Sequence, residues 1–159
     1  MSLSNFVKRI RNIMRNDAGI NGDAQRIEQM AWMLFLKVYD EKENDWELDD
    51  DDYKSIIPEE CRWRNWAHDD GSGNALTGDE LLSFVNNTLF VELKNIEVTP
   101  TTPIRQAIVK TTFEDANQYL KDGDQLRQVL NEIDGLNLGD YEESHAFGEI
   151  YETIVKEME

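Results

Sequence analysis

The sequence predicts an all-α fold: a single helical bundle domain with one loop-rich, tryptophan-containing excursion around residues 43–76. Three observations predict it. Apolar residues recur at three- and four-residue steps through every long periodic segment, and none alternates with the two-residue period of a half-buried strand. The three prolines and most of the glycines fall between those segments rather than within them. Four Trp, six Phe and five Tyr in 159 residues supply the apolar bulk that offsets the chain entropy lost on folding.

The first helix is predicted from about Ser4 to Arg15, where Leu3, Phe6, Val7, Ile10, Ile13 and Met14 make one apolar stripe. The stretch Asp17 to Gly22 breaks it with two glycines. Asp23 is then expected to cap a second helix running to about Lys42. Ala24, Ile27, Met30, Ala31, Leu34, Phe35 and Val38 share one side of it, and Trp32, Met33 and Leu36 extend apolar surface around the rest. That marks it as the central element.

Residues 43–76 read differently. The acidic runs Asp49 to Asp52 and Asp69-Asp70 flank Ile56, Ile57, Pro58, Trp63 and Trp66. The expectation is a loop whose aromatics pack back on the helices, with one helical turn after Pro58. Thr77 and Glu80 have capping-box spacing and open a third long helix through Leu81, Leu82, Val85 and Leu89. Pro100 and Pro103 make a rigid break, with Pro103 placed to start a short helix. Leu120, Leu126, Val129, Leu130 and Ile133 are assigned to a helix pair around Asp122-Gly123-Asp124, ended by Gly135 and Gly139. A last helix is predicted from Glu142 or Ser144, carrying Phe147, Ile150, Ile154 and Val155 and still running at Glu159.

The net charge is −17, and its distribution matters more than its size. Residues 1–16 carry Lys8, Arg9, Arg11 and Arg15 without a carboxylate, which leaves −21 on the remaining chain. A surface that acidic repels a nucleic-acid backbone over most of its area. Lys8, Arg11 and Arg15 fall at i, i+3 and i+7, on the side of the first helix opposite its apolar stripe. They are the candidate DNA-binding residues. Pairing with the acidic surface, within the chain or between subunits, is the competing reading, and the stronger one.

No catalytic constellation is found. Gly71-Ser72-Gly73 follows no strand, so it is not a cofactor-cradling loop. Aligned as a calcium loop from Asp69 to Glu80, the segment puts glycines where oxygen ligands belong. His68 and His145 lack metal-ligand spacing, and Cys61 reads as a buried small hydrophobe. The expectation is no catalytic, cofactor-binding or metal-binding residue in this chain. A single cysteine excludes an internal disulfide and fits a cytoplasmic, reducing compartment. No apolar run approaches the roughly 20 residues that span a bilayer, so no membrane partner is expected.

Two stretches carry a family resemblance. GINGDAQRIEQMAWMLFLKVYDEKE at residues 19–43 resembles the second helix of the N-terminal domain of type I restriction–modification M subunits. DYEESHAFGEIYE at residues 140–152 resembles the helix that hands that domain to the methyltransferase core. The Pro58 to Trp63 loop and the run LNEIDG at 130–135 lie between them in the family's order, so the resemblance covers nearly the whole chain.

The resemblance implies that the parent protein transfers a methyl group from S-adenosylmethionine to N6 of adenine in DNA. It implies that residues 1–159 stop short of the catalytic domain, lacking its cofactor loop and its Asn-Pro-Pro-aromatic tetrad. The implied role is architectural: contacts with the other M subunit, the specificity subunit and the restriction subunit, and closure around duplex DNA. The alternative is a stand-alone acidic helical adaptor or DNA mimic without enzymatic activity.

Overall fold

The computed structural model describes residues 3–136, with side chains from Asn5 onward. Among the described residues every regular element is helical. Helix α1 spans Leu3–Arg15. Phe6, Val7, Ile10 and Met14 are buried while Lys8 and Arg15 are exposed, so the stripe faces the core and the basic side faces out.

The break after α1 is more than a turn. Asp17 is buried, and its carboxylate accepts the backbone N–H groups of Gly19 at 2.7 Å, Lys121 at 3.0 Å and Asp122 at 2.8 Å. A buried charge satisfied by several amides is a strong tie, and this one fastens the α1–α2 loop to a segment a hundred residues away in sequence. Gly19 makes the approach possible, since a Cβ there would lie 2.0 Å from the Tyr119 carbonyl oxygen.

Helix α2 spans Gly22–Asp49 and runs past its predicted end near Lys42. No glycine or proline stops it, and Trp46 holds the extra turns by packing on Tyr39 at 5.4 Å and Tyr53 at 5.9 Å. Asp23 does not cap it. Gly22 turns the chain in with φ +83°, the Asn21 N–H donates to Gln25 Oε1 at 2.7 Å, and Asp23 lies in the first turn. There its negative charge suits the positive end of the helix dipole. Met30, Trp32, Met33, Leu34, Phe35 and Leu36 are all buried, so α2 is enclosed around its middle as predicted.

The excursion therefore begins at Asp50 rather than at residue 43. One 3-10 turn, Glu59–Cys61, follows Pro58, and the single-turn helix α3, Trp63–Trp66, buries both of its tryptophans. Helix α4 (Gly78–Phe84), a π-helical stretch (Val85–Leu89) and α5 (Phe90–Lys94) then follow without a break. Leu81, Val85, Leu89 and Leu93 recur at strict four-residue spacing and are all fully buried. An α-helix turns about 40° too far at each such step. The wider π turn absorbs that drift and keeps the row inward. The expected capping box is not formed: the Thr77 side chain makes no cap bond, and Gly78 enters the helix with φ +57°, outside the helical range.

Helix α6, Ile104–Glu114, starts directly after Pro103 as predicted. The helix pair expected around Asp122-Gly123-Asp124 is a single helix, α7, at Gly123–Asp134. Asp122 caps it, accepting from the amides of Asp124 at 2.8 Å and Gln125 at 3.1 Å. The residues before it are extended because Gln29, buried in α2, captures them: its amide donates to Gln118 Oε1 at 2.7 Å and accepts from the Tyr119 N–H at 2.6 Å. Gly135 closes α7; Gly139 and the helix predicted from 142–144 onward, His145 included, lie outside the described residues.

Helix α7 packs on α1, α2 and α4, and α5 packs on α6. At the centre Trp32 stacks on Trp66 at 6.5 Å and meets Phe90 edge-on at 5.0 Å and Phe113 at 6.2 Å. Such ring pairs contribute about 0.5–1.5 kcal/mol each beyond the area they bury. They join α2, the tryptophan loop, α5 and α6 in one core.

Candidate functional site

The three predicted basic residues share one side of α1 but not one fate. Lys8 and Arg15 are exposed, and neither has an ion-pair partner among the described residues. Arg11 is half-buried, with its guanidinium 3.8 Å from Asp23 at the start of α2. Arg9, at the edge of the same helix, donates to Glu132 of α7 at 2.8 Å. Internal pairing thus takes up part of the basic segment, and Lys8 and Arg15 remain facing solvent.

A second charged constellation was not singled out in the sequence. Asp40, Glu43 and Glu47 lie at i, i+3 and i+7 on α2, and Arg62 and Arg64 of the tryptophan loop face them. Arg64 reaches Asp40 at 2.9 Å and Glu47 at 3.1 Å. Arg62 hydrogen-bonds Glu47 and lies 3.6 Å from Glu43, whose other oxygen accepts from the Tyr53 hydroxyl. Hydrogen bonding to Arg62 holds the Glu47 carboxyl below the usual carboxylate range, with Arg64 adding to it. The legible signal was the carboxylate spacing on α2 set against an Arg-x-Arg pair. Its chemistry is structural: it clamps the loop that carries Trp63 and Trp66.

Asp134, in the last turn of α7, gathers three donors. It receives the Trp63 indole N–H at 2.8 Å, pairs with His68 Nδ1 at 2.7 Å and lies 3.5 Å from the Lys37 ammonium. Burial opposes its charge, but the bonds from His68 and Trp63 outweigh that, and its carboxyl is lowered overall.

Cys61 is buried, and Gly71-Ser72-Gly73 forms an exposed turn. Burial pushes the Cys61 thiol up to about 12, with Glu60 and Glu92 adding to the effect, which removes the thiolate that a nucleophile needs. Gly71 and Gly73 sit in an exposed turn whose amides are already engaged: Gly71 donates to Asp69 and Ser72 to Asp70, each at 2.9 Å.

One surface feature is apolar rather than charged. A groove of about 370 Å³ runs between α2 and α6, floored by Phe35, Val38, Tyr39 and Trp46 and walled by Ile108. Lys42 and Arg105 stand at its rim, the Arg105 guanidinium 4.4 Å over the Trp46 ring. No helix among the described residues is long and apolar enough to cross a membrane.

Residues 3–133 match the family described as HsdM N-terminal domain. The chain is 43% identical over its full length to the type I restriction enzyme EcoEI methylase subunit of Escherichia coli, of which it spans 32%. Its fold is similar to that of a modification subunit of a putative type I restriction enzyme from Vibrio vulnificus. The TM-score is 0.83 at 32% identity, covering 98% of this chain and 35% of that one. A chain from structural work on complex assembly and conformational transition of the type I R-M system aligns with a TM-score of 0.75 at 29% identity, over 97% of this chain and 30% of that one. The chain thus spans about a third of the length of each relative.

Proposed function

The chain belongs to the HsdM N-terminal domain family, and from that premise we propose that it is the architectural N-terminal domain, residues 1–159, of a type I restriction–modification DNA methyltransferase subunit. The observation that carries this reading is the full-length match to a methylase subunit of three times its length. In this reading S-adenosylmethionine and the adenine-N6 chemistry belong to the remainder of the parent protein. This domain supplies contacts with the second M subunit, the specificity subunit and the restriction subunit, in a cytoplasmic enzyme. The rigid core supports that role, since a domain that holds neighbours in register must not deform.

Closure around DNA is the second half of the proposal. Lys8 and Arg15, with Arg11 behind them, are the residues through which α1 touches phosphates when the assembled enzyme holds a duplex nearby. The adaptor or DNA-mimic reading has no specific observation in its favour beside the family match.

The test uses the full-length subunit, intact and with this domain removed. The intact subunit is expected to assemble with its specificity subunit and a second copy, seen by native mass spectrometry, and to methylate DNA. The shortened subunit is expected to keep S-adenosylmethionine binding by calorimetry while losing assembly and methylation. Unchanged assembly and methylation without the domain would remove the proposed role.

A further inference from the structure

A cleft of about 380 Å³ lies where the chain entering the tryptophan loop meets the end of α5. Ile56, Pro58, Val91 and Ile96 are its apolar lining, and Glu92 and Glu97 line it with charge. Ile96 belongs to the core, whereas Val91 is 49% exposed. Both carboxylates are exposed, and neither has an ion-pair partner among the described residues. Two lysines of this region are engaged with other groups. Lys94 lies 5.7 Å over the Phe90 ring, and Lys110 donates to the carbonyls of Lys94 at 2.8 Å and Ile96 at 2.9 Å. Glu60, which acts with Glu92 on the Cys61 thiol, adds a third carboxylate at this end, so negative charge still prevails. Asn95 donates to the Val91 carbonyl at 2.8 Å, which leaves its Oδ1 as a further acceptor. An apolar floor beside several acceptors suits a long cationic side chain, whose stem is apolar and whose head is not.

We propose that this cleft receives an arginine, with an aliphatic residue beside it, from a basic segment of a neighbouring subunit that is not a second copy of this chain. The inference rests on the reading of this domain as one that holds neighbouring subunits, and it gives that role a surface and a chemistry. The stem of the arginine lies along Pro58 and Val91, its head reaches Glu92 and Glu97, and the aliphatic neighbour covers the rest of Val91. Arginine fits better than lysine, because its planar fork binds two acceptors at once and sheds water more readily. A second copy does not offer the match. Its exposed cations Lys8 and Arg15 stand on α1, and the exposed large apolar residues of the described chain, Leu48, Val91, Val98, Ile104 and Ile108, all lie elsewhere. Nucleic acid is repelled by the same carboxylates that attract a basic segment. The net charge of −17 steers such a segment toward the domain before contact.

The test uses the full-length subunit in the purified, assembled enzyme. With photoreactive benzoylphenylalanine in place of Val91, irradiation is expected to cross-link the domain to a specificity or restriction subunit. Mass spectrometry should place the cross-link in a peptide with arginine beside an aliphatic residue. Glu92→Lys/Glu97→Lys should raise the dissociation constant for that subunit at least about tenfold and flatten its salt dependence. The same charge change at Asp45 and Asp49, exposed carboxylates of α2 that do not line the cleft, should alter it by less than about twofold. An unaltered urea midpoint shows that each variant keeps its fold. A cross-link to a second copy, to the same polypeptide or to an acidic segment overturns the proposal, as does the absence of any cross-link. If Glu92→Lys/Glu97→Lys assembles as tightly as the natural subunit while removal of the whole domain abolishes assembly, the cleft is overturned and the architectural reading stands. Unchanged assembly without the domain overturns both.

Discussion

Arg62 and Glu43 show how far a single pair can decide the stability of this domain. The Arg62 side chain is 9% exposed and that of Glu43 is 1% exposed, so neither charge is bathed in water. Removing Arg62 leaves the Glu43 carboxylate buried with no cation beside it and only the Tyr53 hydroxyl donating to it, which costs about 3–5 kcal/mol, whereas replacing both with apolar groups of similar size is close to neutral. Arg62→Met should therefore lower stability in urea by about that amount, and the double change Arg62→Met/Glu43→Leu should recover most of the loss. A double variant as unstable as the single one would mean that Arg62 acts through Glu47 and Glu59 instead.

Asp134 makes the corresponding statement about pH. Its folded carboxyl is lowered, so its contribution to stability is fully present above the ordinary aspartate value of about 4 and is lost as pH falls through the lowered folded value. The fall in urea midpoint with acid should thus be shallower for Asp134→Asn than for the natural chain. The asparagine variant should be less stable near pH 7 and the two should converge at low pH. Because Asp134 joins Trp63 to α7, tryptophan fluorescence is expected to report the same transition. Parallel acid limbs would place the sensitivity in other carboxylates.

At the scale of elements, the closest backbone approach decides the packing of α4 on α7. A Cβ at Gly123 would lie 1.9 Å from the Gly78 carbonyl oxygen and 2.3 Å from its carbonyl carbon, and backbone cannot rotate away as a side chain can. Gly123→Ala should therefore destabilise by roughly 3–5 kcal/mol, read from chemical denaturation. Gly71→Ala meets no atom within 4 Å but must hold a φ of +82°, so about 1–2 kcal/mol is expected there. Similar costs at both sites would mean that α4 and α7 can separate without penalty.

The elements that were legible in the sequence are those whose information is local. The apolar stripe of α1, the enclosing apolar surface of α2 and the Pro103 start of α6 are all written in spacing within a few residues. What was missed depends on partners distant in the chain. Residues 116–122 look helical until Gln29 claims their polar groups, and α2 looks finished at Lys42 until Arg62 and Arg64 neutralise its last acidic face. Thr77 carries a cap signal that its side chain does not use. The basic face was legible as a face, but whether each cation was already paired was not, because Asp23 and Glu132 reach α1 from other helices.

For the whole molecule, a small basic face works against a large acidic surface. Beyond a Debye length of about 8 Å at physiological salt, exposed charges are largely screened, so the distant carboxylates do not forbid a local contact at Lys8 and Arg15. They do deny it long-range attraction, and Arg11 is partly spent on Asp23. Two or three phosphate contacts correspond to a salt slope of about −2 to −3, small beside that of a self-sufficient DNA-binding protein. The isolated domain is therefore expected to bind a short duplex weakly or not at all. Any binding seen by fluorescence anisotropy at low salt should fall with Lys8→Ala/Arg15→Ala, and adding Arg11→Ala should change it less. Under the proposed function, in which other subunits of an assembled enzyme hold the duplex close, the same changes should raise the concentration needed for methylation without touching the chemical step. Sub-micromolar binding by the isolated domain at physiological salt, or binding that survives the triple change, would place its DNA-contacting surface away from α1.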